Sequence, residues 1–192
     1  TEYGKAKLAT EKLLAEKVDE IDSVVLRAVN VYGKGMKGNI AKMIDLIGRN
    51  RLPRLPALST SISLIGVDDL AAALILAAES DSAVGKTYTV TDSEVYRINA
   101  IEEAIYRILS KPMSHWRTPA VLLYAASAVA GLASILLGGR GSISLRTYRN
   151  LTTDNIFEND AICKELGFAP STSFYKELPK IVAVNNDFNE ET

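Results

Sequence analysis

The sequence has few of the residues that several classes of protein depend on. A single cysteine, Cys163, cannot close a disulfide within the chain, and a single histidine, His115, cannot build a histidine-rich metal site. Lys and Arg number 22 against 23 Asp and Glu, and the formal charge of −1 provides no basic field for a nucleic acid. No internal repeat, low-complexity tract or secretory leader is visible. We therefore expect a protein of the reducing cytoplasm that binds neither metal nor nucleic acid.

What the chain does contain is an ordinary globular composition, with 47% hydrophobic and 23% charged residues in 192. The run from Asp22 to Tyr32 is β-branched and apolar and ends at Gly33, a pattern typical of a parallel strand buried on both faces. Shorter strands are predicted at 62–67 and 86–91, and residues 145–153 read as irregular or extended. Helices are predicted between these strands and after them, over 39–47 (capped by Asn39 and Gly48), 70–79, 100–109 (capped by Asn99), 161–166 and 174–184. Alternating strands and helices predict an α/β fold.

The first 17 residues predict a helix, since Ala, Leu, Lys and Glu dominate them. Ala6, Ala9, Leu13 and Leu14 share one side of this helix, and we expect them to form its buried stripe. A helix of this kind needs a sheet to lie on, and no earlier element is present in the sequence. We therefore expect the chain to be the C-terminal part of a longer protein.

Tyr3 and Lys7 are four residues apart on this helix, so their side chains lie on the same face, one turn apart. A phenol is a poor acid-base group at neutral pH because its ordinary pKa is about 10. A neighbouring ammonium favours the phenolate, so the pair is one way to make a tyrosine exchange protons. On spacing alone, a solvated pair without function is the commoner explanation.

Five segments together carry a resemblance to a known family: Tyr3-Gly-Lys-Ala-Lys7, Leu26-Arg-Ala-Val-Asn-Val-Tyr-Gly33, Leu64-Ile-Gly-Val-Asp-Asp-Leu-Ala-Ala-Ala73, Tyr88-Thr-Val-Thr-Asp92 and Lys164-Glu-Leu-Gly-Phe-Ala-Pro170. In this order they resemble the extended short-chain dehydrogenase/reductase family, which includes the nucleotide-sugar epimerases and dehydratases. The resemblance covers nearly the whole chain, and what it looks like is the C-terminal part of such an enzyme.

The resemblance implies the C-terminal part of a Rossmann-like NAD(P)-binding fold merging into a small mixed substrate domain. Residues 1–33 would end the dinucleotide-binding domain, with the catalytic helix and the strand after it. Residues 34–192 would be mainly the substrate-binding region, with returning Rossmann elements. The Gly-rich loop for the cofactor pyrophosphate and the family's Ser or Thr that orients the substrate would both precede Tyr3. A homodimer that uses the opening helix is usual in the family.

The family's chemistry can be carried over at four positions. Tyr3 would exchange a proton with a substrate hydroxyl, and Lys7 would bind the ribose hydroxyls of NAD or NADP and favour the phenolate. Val29 would meet the nicotinamide carboxamide through its backbone, and Asn30 would contact the substrate, often at its diphosphate. Strand packing is the alternative for Val29, and a turn residue at the strand end is the alternative for Asn30. The implied reaction is hydride transfer at a carbinol carbon of a nucleotide sugar.

The chain departs from the family at Ile62, where an Arg that grips the nucleotide diphosphate is often found, and at Lys34, where Pro is usual. An Ile cannot bind phosphate, so either Arg146 or Arg149 replaces that Arg or the substrate is not a nucleotide sugar. The first alternative substrate is a non-nucleotide alcohol or carbonyl, acted on by a reductase or dehydrogenase, and the second is a lipid-linked sugar. A non-catalytic scaffold built on the family fold is the remaining alternative.

Several other features are open to a functional and a structural interpretation. Residues 118–139 carry no charge, which is long enough for a membrane span, but the stretch is rich in Ala, Ser and Gly. The resemblance places a helix of the substrate domain in this stretch, and association with a membrane surface is an alternative that we favour over a span. The Asp68–Asp69 pair is expected to cap a helix rather than to bind metal. His115 is expected to be structural, and Cys163 a buried helix residue.

Overall fold

The computed structural model describes residues 2–92, 94–136, 149 and 151–190, and the side chains of 130–136 and 184–190 lie outside that description. Helices and strands alternate through the first half, and helices follow. The helices are α1 (Glu2–Glu16), α2 (Asn39–Gly48), α3 (Val67–Ala78), α4 (Ile98–Ile108), α5 (Ala120–Leu136), α6 (Asp160–Leu166) and α7 (Phe174–Glu190). The strands are β1 (Val25–Ala28), β2 (Asn30–Tyr32), β3 (Ser61–Gly66), β4 (Thr87–Val90) and β5 (Val95–Arg97). The predicted α/β fold is confirmed.

The chain divides into two compact units, each assembled from three stretches of sequence. Unit 1 comprises Thr1–Tyr32, Leu64–Ser93 and Phe157–Ser173. Unit 2 comprises Gly33–Ser63, Glu94–Ile156 and Phe174–Thr192. The second half of β3 therefore belongs to unit 1 and the first half to unit 2.

Unit 1 is built on two parallel strand pairs. β1 pairs with β4 from Val25 opposite Thr87 to Ala28 opposite Val90. β2 pairs with the second half of β3, from Asn30 opposite Leu64 onwards. Helices α3 and α6 pack on these strands, because their apolar side chains and those of the strands form one core. The fully or nearly buried members of this core are Ile65, Ala73, Ala83, Tyr88, Val90, Ile162 and Phe168.

Unit 2 contains the one antiparallel pairing among the described strands. Ile62 at the start of β3 lies opposite Tyr96 of β5, and a single parallel bridge joins Ile62 to Asn155. The Tyr96 and Phe174 rings meet edge to face with centroids 5.8 Å apart, and the Tyr96 hydroxyl accepts a hydrogen bond from the Phe174 amide at 3.1 Å. Helices α2 and α4 bury regularly spaced apolar residues: Ile40, Met43, Ile44 and Ile47 on α2, and Ile98, Ile101 and Ile105 on α4.

Three predicted caps are wrong by one or more residues. Gly38 is the N-cap of α2 and Arg49 its C-cap, so Asn39 and Gly48 are the first and last residues of the helix. Helix α4 begins at Ile98, one residue before Asn99. Asn99 instead accepts a hydrogen bond from the Leu58 amide (2.7 Å) and donates one to the Pro56 carbonyl (3.0 Å). Its side chain fastens the proline-rich connection, because that segment has its own backbone groups to satisfy.

The strand predicted over residues 22–32 is interrupted at Val29. The Val29 amide donates to the Val90 carbonyl at 3.3 Å, and this is where the chain changes partner, from β4 to β3. Arg27, Ala28 and Asn30 are exposed, so the prediction of a strand buried on both faces is wrong. A continuous apolar run cannot reveal a change of partner, because both partners favour the same residue types.

The buried stripe predicted on α1 is also wrong. Leu14 is half-buried, whereas Ala6 and Ala9 are exposed and Leu13 is 57% exposed. The amphipathic pattern of α1 is therefore not used within the described part of the chain.

In the last third of the chain, two of the predicted helices are present. Helix α6 ends where predicted, with Gly167 in the left-handed conformation at φ 69°. Helix α7 begins at Phe174 as predicted and continues to Glu190. Arg149, Leu151 and Thr152 are helical, which contradicts the irregular structure predicted there, and Arg146 lies outside the described residues. Among the described residues, none of the helices is both long and apolar enough to traverse a bilayer.

Candidate functional site

The side chains of Tyr3 and Lys7 lie next to each other on α1. The Lys7 ammonium nitrogen is 5.7 Å from the centroid of the Tyr3 ring, within the range of a cation–π contact. Tyr3 is 74% exposed. Lys5, on the same helix, is paired with Glu2, whereas none of the ion pairs in the described part of the chain involves Lys7. The pair therefore presents a phenol and an ammonium together to the surroundings.

Helix α1 is attached to β1 by one ion pair, located one turn beyond Lys7. The Arg27 guanidinium donates from Nε to both carboxylate oxygens of Glu11, at 3.1 and 3.2 Å, and a further bond comes from Nη2. The hydrogen bond from Arg27 lowers the pKa of Glu11, although partial desolvation opposes it. A two-point guanidinium–carboxylate contact fixes orientation as well as distance. It therefore orients the helix that carries Tyr3 and Lys7.

Val29 and Asn30 lie at the junction of β1 and β2. The Val29 amide is committed to the Val90 carbonyl, so only the Val29 carbonyl is a candidate for accepting a hydrogen bond from a ligand. Asn30 is exposed at the first position of β2, opposite Leu64. Within the described part of the chain, Tyr3 and Lys7 contact each other, and neither makes a ring contact or ion pair with Val29 or Asn30.

A buried polar cluster at the carboxyl ends of β2 and β4 was not predicted. The Tyr32 hydroxyl is 3.1 Å from Asp92 Oδ2, to which it donates, and 3.2 Å from the Thr172 hydroxyl. Burial is the main cause that raises the pKa of Tyr32 far above its ordinary value. Asp92 is itself anchored, since its amide donates to the Leu64 carbonyl at 2.8 Å. Tyr32 therefore stays a neutral donor at physiological pH.

Asp69 completes the polar cluster from the first turn of α3. Its Oδ1 accepts from the Ser171 amide (3.0 Å) and hydroxyl (2.9 Å), and its Oδ2 accepts from the Thr172 amide (3.0 Å) and hydroxyl. Burial opposes the charged form, but these hydrogen bonds, led by that from Thr172, lower the pKa of Asp69. No side chain caps α3, whose N-cap is Gly66, so the predicted capping role is wrong for Asp69.

Gly66 makes this arrangement possible at the end of β3. A Cβ at this position would overlap the Thr172 hydroxyl oxygen and would lie 3.4 Å from the Tyr32 ring. The sequence signal was the Gly-Val-Asp-Asp run, but its partners at 171–172 are about a hundred residues away. The local sequence at Ser171 and Thr172 does not mark them as hydrogen-bond partners of Asp69.

Unit 2 holds a second buried charge cluster, between α4 and the proline-rich connection. Glu102 is fully buried and accepts from the Leu55 amide at 2.7 Å. Arg54 and Arg117 both donate to Glu103, at 3.0 and 2.8 Å, and lie 3.7 and 3.4 Å from Glu102. Burial raises the pKa of Glu102, and the Leu55 amide and the two guanidinium groups oppose that effect. The four charges balance, so this cluster is structural.

His115 and Cys163, the other reactive residues singled out from the sequence, are not part of a candidate site in the described chain. His115 is exposed next to Trp116. Cys163 is half-buried against the core of unit 1, and burial raises the pKa of its thiol, which makes it a poor nucleophile. Among the described residues, no group of three or more His, Cys, Asp or Glu side chains could hold a metal ion.

Comparison with known protein families gives a match in the first half of the chain. The sequence model of the NAD dependent epimerase/dehydratase family matches residues 1–91. Those residues carry the family's pattern. The resemblance drawn from the motifs is thereby confirmed over residues 1–91. The roles carried over to Tyr3, Lys7, Val29 and Asn30 stay predictions. A search of the curated proteins found no match.

Solved structures with the same fold extend the likeness to nearly the whole chain. The UDP-glucose 4-epimerase of Thermotoga maritima, solved with UDP-glucose, has a TM-score of 0.69 at 19% identity over 97% of this chain and 54% of its own. A dTDP-glucose 4,6-dehydratase of Streptomyces venezuelae, solved with NAD, gives 0.70 at 13% identity over 98% and 52%. RMD of Pseudomonas aeruginosa, complexed with NADPH, gives 0.68 at 15% identity over 97% and 55%. The chain thus has the Rossmann-like fold of these proteins and spans about half their length.

Proposed function

We propose that this chain supplies the proton-transfer pair of an NAD(P)-dependent epimerase or dehydratase that acts on a nucleotide sugar. The observation that carries the proposal is the adjacent placement of Tyr3 and Lys7 on α1, inside the region that matches the family. Neither side chain is used in the core, and Lys7 lacks the carboxylate partner that its neighbour Lys5 has in the described chain.

The hydrogen-bonding groups present, a donor on Lys7 and an acceptor on Val29, fit a nicotinamide dinucleotide. The Lys7 ammonium carries three N–H donors, which suit the paired hydroxyl oxygens of a ribose. The Val29 carbonyl suits the amide nitrogen of a carboxamide, since its N–H is already used by Val90. NAD(P), when bound, accepts a hydride from the carbinol carbon of the substrate and can return it.

Tyr3 acts as the acid and base in this proposal. Its phenolate oxygen takes the proton of the substrate hydroxyl as the carbinol carbon is oxidised, and it returns a proton when the carbonyl is reduced. Lys7 holds its positive charge beside the Tyr3 ring. Arg27 and Glu11 hold the helix in place, and the exposed amide of Asn30 binds the substrate, with its diphosphate as the expected contact.

Tyr3→Phe in the full-length protein tests this role directly. We expect turnover to fall by about a thousandfold or more, because one general acid–base group contributes about 10²–10⁴-fold. Cofactor affinity should stay within about twofold. Lys7→Met should weaken cofactor binding as well as turnover, whereas Lys5→Met on the same helix should change neither. Unchanged turnover in Tyr3→Phe, or equal effects of the two lysine variants, would contradict the proposal.

The apolar environment of Ile62 supports a second candidate, a reductase or dehydrogenase of a non-nucleotide alcohol or carbonyl. Ile62 is buried opposite Tyr96 and bridged to Asn155, so this position offers no charge to a diphosphate. Inhibition of turnover by UDP and dTDP separates the candidates: competition with the substrate favours the nucleotide-sugar enzyme, and none at millimolar concentration favours the second candidate. A lipid-linked sugar is the alternative substrate for the epimerase or dehydratase reaction of the first candidate.

The assembly proposed with this function is a homodimer that uses α1. The exposed Leu8 and Leu13 on α1 are apolar side chains that a second copy would cover. Replacing both with Ser should convert a dimer into monomers in analytical ultracentrifugation. A wild-type monomer at micromolar concentration would contradict it.

A further inference from the structure

Helix α5 has its polarity reversed relative to an ordinary surface helix. Val121, Leu122, Tyr124 and Val129 face outward, with exposed fractions between 51% for Tyr124 and 76% for Val121. The buried residue of the same stretch is Ser127, 1% exposed, whose hydroxyl donates to the Tyr124 carbonyl at 2.8 Å. A helix on the water-exposed surface of a globular protein places its apolar residues toward the core. The outward face of α5, defined by these four residues, is therefore arranged for a non-aqueous neighbour.

Two large exposed apolar side chains precede α5 in the sequence. Trp116 is 60% exposed and Met113 is 42% exposed, in the connection that leads into α5. Trp and Tyr are enriched where a membrane meets water, because their rings are apolar and each carries one polar group. An indole and a phenol at this end of α5 match that preference.

The charge that precedes and follows α5 in the sequence is of one sign. Residues 104–153 contain no Asp or Glu and six cationic side chains, Arg107, Lys111, Arg117, Arg140, Arg146 and Arg149. Arg117 is neutralised by Glu102 and Glu103, which leaves five. The other 142 residues hold 16 Lys and Arg against 23 Asp and Glu, so the segment that includes α5 carries a net positive charge and the rest of the sequence a net negative one. An apolar face within a cationic segment is complementary to anionic lipid headgroups.

We propose that the outward face of α5 docks on an anionic lipid surface. In this proposal the helix lies in the plane of the headgroups. Its apolar side chains enter the boundary of the acyl chains, and the cations that flank α5 in the sequence are attracted to lipid phosphates. This proposal does not depend on the reaction assigned to Tyr3 and Lys7.

Vesicle flotation with the full-length protein tests the docking. We expect wild type to float with vesicles of phosphatidylcholine containing about 30% phosphatidylglycerol, and the bound fraction to fall when salt rises from about 0.1 to 0.5 M. Vesicles of phosphatidylcholine alone should bind much less. The double variant Val121→Asn/Leu122→Asn should lower the partition coefficient about tenfold or more.

Matched controls separate lipid docking from a general loss of apolar surface. Leu74 and Ile75 are exposed on α3, and Leu74→Asn/Ile75→Asn makes the same chemical change there. This control should float like wild type, while Arg107→Gln/Lys111→Gln should lose affinity for the anionic vesicles. Circular dichroism of each variant verifies the fold, and Trp116→Ser provides an independent reduction if the α5 variant unfolds.

Three outcomes would overturn the proposal. Wild-type protein that stays at the bottom of the gradient with both kinds of vesicle does not bind lipid through this face. Equal losses from the α5 and α3 variants would make the effect unspecific. A dimer that Val121→Asn/Leu122→Asn splits into monomers, without flotation of wild type, would identify the face as a subunit interface instead.

Discussion

Replacing Asp69 by Asn should destabilise unit 1 more than any other single exchange of a carboxylate for an amide in that unit. The Asp69 carboxylate is 4% exposed and accepts four hydrogen bonds, two from backbone amides and two from hydroxyls of Ser171 and Thr172. In Asn one of the two oxygens becomes an NH₂ group. A hydroxyl can rotate to accept from it, but the backbone amide on that side then faces a donor.

The expected loss in the free energy of unfolding follows from the four hydrogen bonds that Asp69 accepts. An unsatisfied buried donor costs about 1–3 kcal/mol, and hydrogen bonds to a charged acceptor contribute about 1.5–3 kcal/mol against roughly 1 kcal/mol for neutral ones. We expect a loss of about 2–4 kcal/mol in the free energy of unfolding. Asp68→Asn is the matched control, since Asp68 is exposed in the same first turn and should cost no more than about 1 kcal/mol through the helix dipole. Urea titrations monitored by circular dichroism measure both.

The pH dependence gives the same prediction a second, independent test. Because the pKa of Asp69 is lowered in the folded state, its carboxylate contributes stability above the unfolded pKa of about 3.9, and this is lost as the pH falls through the folded pKa. The difference between wild type and Asp69→Asn should be constant from about pH 5 to 8 and should narrow below about pH 4. Equal losses for Asp68→Asn and Asp69→Asn, or a difference that persists to pH 2, would refute the reasoning.

Two further predictions concern close packing around buried polar groups. Gly66→Ala should destabilise the protein by about 1–3 kcal/mol, since the new methyl group overlaps the Thr172 hydroxyl, and adding Thr172→Ala should recover part of that loss in a double-mutant cycle. Glu102→Ala should cost about 3–5 kcal/mol because it removes the fully buried partner of Arg54, whereas Glu103→Ala, at a more exposed carboxylate, should cost less; equal thermal midpoints would contradict this.

Local sequence was sufficient for most elements of the fold, although not for β5 or for the division between β1 and β2, and for the adjacency of Tyr3 and Lys7. Both depend on residues a few positions apart, and period and spacing report such relations directly. The stop of α6 at Gly167 is an example, because a left-handed residue needs no distant partner. Boundaries were less accurate where a cap residue was used elsewhere, as with Asn99, whose amide serves the segment at 56–58.

The polar cluster of unit 1 shows what local patterns cannot supply. Tyr32, Asp69, Asp92 and Thr172 come from four separate parts of the sequence, and their hydrogen bonds exist only after those parts have packed. The Asp68–Asp69 pair looked like a helix cap because capping uses the nearest amides. Asp69 binds the amides of residues 171 and 172 instead, since burial of a carboxylate requires more hydrogen bonds than one helix end provides.

Helices α1 and α5 are the places where sequence pattern and structure disagree in an informative way. The apolar residues of α1 predict a buried stripe, and the structure leaves Leu8 and Leu13 outside; α5 is uncharged, and the structure turns its larger apolar side chains outward and Ser127 inward. An apolar face that does not join the core keeps its hydrophobic free energy available for another surface. For α1 charges of both signs are mixed along the helix, which suits a protein partner. For α5 they are cationic on both sides, which suits anionic lipid. The same hydrophobic driving force thus leads to two different partners because the surrounding charge differs.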